Sequence, residues 1–289
     1  MSPMINNSLY EALISAGVSD AKAKAAAECV QPSISSGNVD FRDLYLDLMM
    51  DCILNMIYED KPVKTTWAGD TYSETARENG TDWPSIAHSM IGKKRMKNIQ
   101  TLAEIVIKEE IPGDFIETGV WRGGASIFMR AILKAYNQKD RCIWVADSFE
   151  GLPRPNPEKY PADLGDRTYT CNVFLGVSLE EVKANFQKYK LLDEQVKFLK
   201  GWFKDTLPTA PLKKLAILRA DGDMYESTMD SLSSLYGKLS PGGFVIIDDY
   251  CLPTCKKAVS DFMDKMGIHD SIVPIDNVGV YWRKTGDSV

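Results

Sequence analysis

Two groups of residues in this 289-residue chain have the types and spacing of a reactive site. The first is Asp114-Phe115-Ile116-Glu117-Thr118-Gly119-Val120-Trp121-Arg122-Gly123-Gly124, an apolar run that ends in an acid and breaks into a glycine-rich turn. Glycine at such a turn lets backbone approach a ligand closely, and a following helix presents unsatisfied N–H groups above the strand end. A dinucleotide fingerprint reads G-x-G-x-x-G, whereas Gly119, Gly123 and Gly124 give G-x-x-x-G-G, with Glu117 two residues before the first glycine. That spacing points to S-adenosylmethionine (SAM) rather than NAD. One βα unit later, Arg141-Cys142-Ile143-Trp144-Val145-Ala146 ends at Asp147-Ser148. An acid there can accept both ribose hydroxyls; the plainer role for Asp147 is to cap the next segment.

The second group is acidic. A strand-like run from Lys214 to Ala220 ends at Asp221-Gly222-Asp223, and another from Gly242 to Ile247 ends at Asp248-Asp249-Tyr250. In a parallel sheet the carboxyl ends of adjacent strands share one edge, so Asp221, Asp223, Asp248 and Asp249 are expected to converge beside the nucleotide pocket. Four carboxylates in one place repel one another, which raises pKa values and costs stability unless a cation joins them. All-oxygen ligands favour Mg²⁺, with Mn²⁺ or Ca²⁺ as substitutes. The competing reading is helix capping, for Asp223 three residues before Glu226 and for Asp249 just before Tyr250-Cys251-Leu252-Pro253.

The other candidates carry less. Six cysteines, at 29, 52, 142, 171, 251 and 255, are scattered and sit mostly in apolar runs, as free buried thiols of a reducing compartment do. Cys251 and Cys255 lack a second cysteine pair, and His88 and His269 are the sole histidines, so the pair reads as structural rather than as a zinc site. His88 reads as a surface or packing residue before a substrate contact.

The elements that must position these residues alternate from Asp114 onward. Strands are expected near 114–119, 141–147, 196–200, 214–220 and 243–248, with helices over 123–137, 178–190, 226–238 and 254–266. Ser271–Ile275 and Val278–Arg283 are separated by Asp276-Asn277, too few residues for a crossover, and should form an antiparallel hairpin. The expected fold class is α/β, a Rossmann-like methyltransferase with a mostly parallel seven-stranded sheet closed by that hairpin.

Upstream, residues 1–35 comprise a polar start and an alanine-rich helical patch from Asp20 to Val30, followed by a break around Pro32–Gly37. A helix over 41–58 places Leu44, Leu48, Ile53, Leu54 and Ile57 at roughly helical spacing, with Met49, Met50 and Met56 as packing residues. The polar stretch 65–89 has the character of a lid, and Lys93–Glu110 of a basic amphipathic helix whose Lys93, Lys94, Arg95 and Lys97 read most simply as a solvated face, with docking of substrate or lid as the lesser reading for Arg95. The proline-bearing segment Gly151–Gly176 reads as a second lid or a dimer contact. Two regions result: residues 1–89 as helical extension and lid, and 90–289 as the catalytic domain. A formal charge of −6 without a Lys/Arg-rich run argues against nucleic acid. No apolar stretch suits a membrane span and no signal peptide is present, which gives a cytoplasmic expectation.

With these motifs in place the chain resembles the TylF/MycF-type (macrocin O-methyltransferase-like) family, class I SAM enzymes that methylate hydroxyls of macrolide and aminocoumarin natural products, often on their sugars. The resemblance spans roughly Met90 to Lys284. It rests on Met90-Ile91-Gly92, Glu117 to Gly124, Ala146-Asp147-Ser148-Phe149-Glu150-Gly151-Leu152-Pro153, Arg219 to Tyr225, and Asp248-Asp249-Tyr250. It implies that Asp221, Asp248 and Asp249 hold Mg²⁺ and that Asp223 is the general base. It further implies that Glu117, Gly119, Ser126, Asp147, Ser148 and Asp221 serve the SAM site, with Met90 closing over it. The implied acceptor is a hydroxylated, glycosylated small-molecule natural product, and the implied assembly a homodimer or higher homo-oligomer. Two other readings stand beside it: a catechol-type phenol O-methyltransferase, and a SAM-binding assembly module without turnover. Retention of all four acids speaks against the latter.

Overall fold

The computed structural model describes Ser15, Ser19, Asp20, residues 40–65 and residues 69–286. Most of the alanine-rich patch expected from Asp20 to Val30, with Cys29 and the break at Pro32–Gly37, lies outside the described residues. The chain divides into two compact units, Met1–Asp43 and Leu44–Val289.

In chain order the elements are α1 (Phe41–Ile53), α2 (Glu74–Asn79), α3 (Gly92–Lys108), β1 (Asp114–Thr118), α4 (Gly124–Ala135), β2 (Ile143–Asp147), α5 (Asn172–Leu175), α6 (Leu179–Lys188) and β3 (Val196–Lys200). They continue with α7 (Phe203–Thr206), β4 (Leu215–Ala220), α8 (Tyr225–Leu235), β5 (Leu239–Ile247), α9 (Pro253–Met266), β6 (Val273–Pro274) and β7 (Val280–Arg283). The strands form one seven-stranded sheet in the order β3-β2-β1-β4-β5-β7-β6. β1 to β5 run parallel, while β7 pairs antiparallel with β5 and with β6. The expected mostly parallel sheet with a C-terminal antiparallel hairpin is therefore present.

Strand periodicity explains the two covered faces. Along β1, Phe115 enters one hydrophobic cluster and Ile116 the other, and Ile217 and Leu218 of β4 and Phe244 and Val245 of β5 alternate in the same way. α1, α3, α4 and α6 cover the first face, α8 and α9 the second. β1 and β4 are neighbours at the point where the strand order reverses, the place where open α/β sheets bind ligands.

Several boundaries differ from the sequence-based expectation. The helix expected to reach residue 58 stops at Ile53, since Asn55 and Glu59 take positive φ values that end helical geometry. Its buried face is Leu46, Met49, Met50 and Ile53, whereas Leu44 and Leu48 are more than half exposed, so the phase is shifted from the one expected. The fifth strand begins at Leu239 rather than 243, because a register shift on its pairing with β4 admits Pro241 and Gly242, the latter at φ 84°. Arg95 is no part of a solvated face: it is 5 % exposed. Among the described cysteines, all free, Cys255 is buried, Cys251 is exposed and the others are half-buried, so the expectation of buried thiols holds for Cys255 alone. Among the described residues no helix is long and apolar enough to cross a membrane.

Candidate active site

The parallel ladder places the site. Beyond the strand ends, the Gly119 amide donates to the Ala146 carbonyl at 2.9 Å, the Asp221 amide to the Thr118 carbonyl at 2.9 Å, and the Asp248 amide to the Ala220 carbonyl at 3.0 Å. The residues that follow β1, β4 and β5 thus stand side by side on one edge of the sheet. Gly119, at φ 85°, is the tightest point, for a Cβ there would lie 1.6 Å from the Asp221 carbonyl oxygen. Its glycine is required by that approach of two turns.

A cavity of about 470 Å³ opens on this edge. Its walls include Gly119, Trp121, Asp147, Ser148, Trp202, Phe203, Asp221, Gly222 and Asp223. The volume lies within the roughly 300–1,000 Å³ of small-molecule sites. Asp147 accepts from the Val120 and Phe149 amides, each at 2.7 Å, and so ties the glycine turn to the end of β2. Burial pushes its carboxyl above the usual range against those amides. Ser148 donates to the Gly151 carbonyl at 2.7 Å and shapes the turn beneath Leu152 and Pro153.

Other expected site residues stand off the wall. Glu117 and Ser126 are buried, the Ser126 hydroxyl donating to Glu117, which also receives Arg219 Nη1 at 2.5 Å. Burial pushes Glu117 up to about 7 against the pull of Arg219 and Ser126. Met90 is half-buried in the segment held to the start of α4 by the Gly124 amide, which donates to the His88 carbonyl at 2.9 Å. None of these three lines the cavity.

The four acids do converge. Asp221, Asp248 and Asp249 each present an oxygen within 4.8 Å of one another. Asp223 adjoins them: its amide donates to Asp249 Oδ2 at 3.0 Å, and its backbone takes φ 56°, an uncommon geometry for a residue with a Cβ. Neither acid caps a helix in the way the competing reading required. The first amides of α8, on Tyr225 and Glu226, donate instead to Asp163 at 2.8 and 2.9 Å. Burial pushes Asp221 and Asp249 up, and Asp248 adds repulsion at both. Burial, then Asp221 and Asp248, push Asp223 up to about 7. No hydrogen bond to the Asp223 carboxylate exists among the described residues.

Three charged residues hold this arrangement: Arg219 and Asp163, which sequence reasoning missed, and Arg95, which it placed first in solvent. Arg219, fully buried in β4, donates to Glu117 and to Asp248 at 2.5 Å and to Asp221 at 2.9 Å. Burial opposes its charge, but Asp248, Asp221 and Glu117 outweigh that and keep its pKa raised. A charge within a wholly buried strand was the available signal, since such a charge must be paired. Arg95 donates to the other oxygen of Asp248. Asp163 caps α8 from a loop with no local pattern to mark it. Loops on both sides are stapled over the glycine turn, where Trp83 stacks on Phe174 at 4.9 Å and Trp121 Nε1 donates to the Phe174 carbonyl at 3.1 Å. His88 has a packing role, its Nδ1 2.7 Å from the Tyr189 hydroxyl.

Strand order, switch-point cavity and the acid that ends β2 together define the class I SAM-dependent methyltransferase fold. Within that class the chain belongs to the macrocin-O-methyltransferase (TylF) family, whose model matches residues 42–284, and it is an O-methyltransferase. The match begins at residue 42, well before the Met90 boundary suggested by the motifs. The chain is 52% identical over 249 residues to 8-demethyl-8-(2,3-dimethoxy-alpha-L-rhamnosyl)-tetracenomycin-C 4'-O-methyltransferase of Streptomyces olivaceus, covering 86% of this chain and 95% of that enzyme. It is 52% identical over 246 residues to mycinamicin III 3''-O-methyltransferase of Micromonospora griseorubida, covering 84% and 97%. The solved structure of the O-methyltransferase NovP superposes with a TM-score of 0.81 at 52% identity, covering 85% of this chain and all of that one.

Proposed function

We propose that this enzyme transfers the SAM methyl group to a hydroxyl of a glycosylated natural product, with a divalent cation held by Asp221, Asp248 and Asp249. The observation that carries the reading is geometric: Asp223 is a carboxylate on the cavity wall that no hydrogen-bond donor among the described residues holds, and it stands beside three acids whose oxygens converge within 4.8 Å. A carboxylate left free at that position suits removal of a hydroxyl proton. The relatives' names support a glycosyl acceptor, since one is described as acting on a rhamnosyl-bearing tetracenomycin.

The residues present fit both groups. Asp221, Asp248 and Asp249 each offer an oxygen within 4.8 Å of one another, burial and the neighbouring acids push Asp221 and Asp249 up, and hard oxygen donors match Mg²⁺ or Mn²⁺. Gly119, Asp147 and Ser148 on the cavity wall suit the nucleoside part of SAM. When bound, SAM supplies an electrophilic methyl on a sulfonium, and a divalent ion supplies charge that lowers the pKa of a hydroxyl beside it. Asp223, on the cavity wall, would take the proton that the acceptor hydroxyl gives up on methylation, with the sulfur leaving as a neutral thioether. Trp121, Trp202 and Phe203 give that edge an aromatic lining. Arg154, Lys204, Glu226 and Asp230 also line the cavity and offer partners to a polyol, which favours a sugar over a planar catechol.

The test is Asp223→Asn with a panel of vicinal-diol glycosides and catechols. The variant is expected to bind SAM normally and to lose about 10²-fold or more in kcat. Near-normal turnover would assign the base elsewhere, and preference for catechols would assign the acceptor elsewhere.

A further inference from the structure

Arg95 has no part in the chemistry just described, yet its buried guanidinium reaches three separate elements. Nη1 donates to Asp248 Oδ2, Nη2 donates to the Gly80 carbonyl at 3.3 Å, and Nε lies 3.2 Å from Asp276 Oδ2 in the hairpin turn. That last contact is an ion pair without hydrogen-bond alignment, for Nε and Asp276 Oδ2 are both buried atoms with no hydrogen-bond partner among the described residues. Glycines fit the side chain closely: a Cβ on Gly80 would meet Nη2 at 2.5 Å, and one on Gly279 would meet Cδ at 3.1 Å. Burial opposes the charge, and Asp248 and Asp276 more than restore it.

The consequence falls on Asp248. Arg219 Nη2 holds its Oδ1 at 2.5 Å and Arg95 holds its Oδ2, so both oxygens of one member of the triad face guanidinium donors. Asp221 meets Arg219 through one oxygen, and Asp249 receives the Asp223 amide through one. A guanidinium on a ligand oxygen competes with a metal ion for the same lone pairs, and its charge opposes a second cation nearby. Arg95 is not on the buried stripe of α3 for packing alone, since an apolar side chain in its place would leave Asp248 and Asp276 buried without it.

We propose that Arg95 sets the affinity of the Asp221–Asp248–Asp249 cluster for a divalent cation. It is a positioning residue: it holds Asp248 before the ion enters and yields Oδ2 when the ion arrives, turning toward the unpartnered oxygen of Asp276. This role rests on the metal reading of the acidic cluster given above. Because the same guanidinium holds the Gly80 carbonyl, entry of the ion is felt by the segment that joins α2 to α3.

Mn²⁺ titration of the full chain, with neither donor nor acceptor present and free Mn²⁺ followed by electron paramagnetic resonance, tests the role without using turnover. Arg95→Gln is expected to bind Mn²⁺ at least tenfold more tightly than wild type, and Arg95→Lys, which keeps the charge, to return toward the wild-type value. Asp276→Asn leaves the guanidinium on Asp248 without its second acid and is expected to weaken Mn²⁺ binding severalfold. SAM affinity, measured by calorimetry, should stay within twofold in all three, which also reports that they are folded. Folded Arg95→Gln binding Mn²⁺ no more tightly than wild type would overturn the proposal. Should Arg95→Gln not fold, unchanged Mn²⁺ affinity in Asp276→Asn would overturn it instead. Absence of Mn²⁺ binding in wild type and every variant at millimolar concentration would overturn the metal reading itself, and the role of Arg95 with it.

Discussion

Gly119→Ala is the sharpest perturbation the geometry offers. A Cβ at this position would lie 1.6 Å from the Asp221 carbonyl oxygen, and real Cβ contacts essentially never fall below 3.0 Å. The turns after β1 and β4 must therefore part by about 1.4 Å, the difference between those two distances. The obstructing atom is backbone, so no side-chain rotation relieves it. Parting the turns strains the bond from the Asp221 amide to the Thr118 carbonyl, now 2.9 Å, and its loss costs about 1 kcal/mol. Alanine at φ 85° adds roughly 1–3 kcal/mol of backbone strain. The sum is roughly 2–4 kcal/mol before any overpacking, against the ~5–15 kcal/mol that holds a typical domain. The variant should fold, melt on the order of 10 °C lower, and bind SAM at least tenfold more weakly, because Gly119 and Asp221 both line the cavity. Thermal melts and SAM calorimetry check this against Gly237→Ala, whose Cβ would meet nothing within 4 Å among the described residues. A Gly119→Ala protein with the melting temperature and SAM affinity of wild type would refute the close approach of the two turns.

Other outcomes follow from buried charge. Burial, with Lys188 and Arg122 adding, pushes His88 down to about 4, so the native state holds it neutral while the unfolded chain protonates it near ~6.5. Its folded pKa lies below the unfolded one, so stability falls as pH drops from about 6.5 toward about 4, by roughly 3 kcal/mol at most. Melts at pH 7.5 and 5 should show a smaller acid loss in His88→Gln than in wild type, and parallel losses would contradict the assignment. Arg77 is fully buried, with Asp60 and Asp82 paired to it at 2.9 and 3.0 Å. Arg77→Met strands both carboxylates and should cost about 3–5 kcal/mol of stability by chemical denaturation. A loss below ~1 kcal/mol would show that the cluster does not tie Asp60 and Asp82 together through Arg77.

The site was legible where chemistry follows from position along a strand. Gly119, Asp147, Asp221 and Asp248 each end an apolar run, and a parallel sheet brings such ends together whatever the intervening loops do. Interactions between distant segments were not legible in the same way. Arg95 sits beside Lys93, Lys94 and Lys97, and reading charge by neighbours put all four in solvent. Reading by helical phase would have separated it, because Arg95 precedes Ile99 by four and Leu102 by seven, on the stripe that α3 buries. In α1, leucines at 44 and 48 outweighed the methionines at 49 and 50 in the pattern, and the methionines are the ones packed inside. Asp163 finds its partners on α8 more than sixty residues downstream, through a proline-bearing loop whose path no local periodicity specifies.

The central claim is that Asp221, Asp248 and Asp249 act through a divalent cation while Asp223 takes the proton. Its most direct test is transfer of labelled methyl from SAM to a vicinal-diol glycoside, first after exhaustive EDTA treatment and then with Mg²⁺ restored in excess of the chelator. Turnover is predicted to vanish in EDTA and to return with Mg²⁺ or Mn²⁺, while SAM remains bound throughout. An undiminished rate in EDTA would contradict the account.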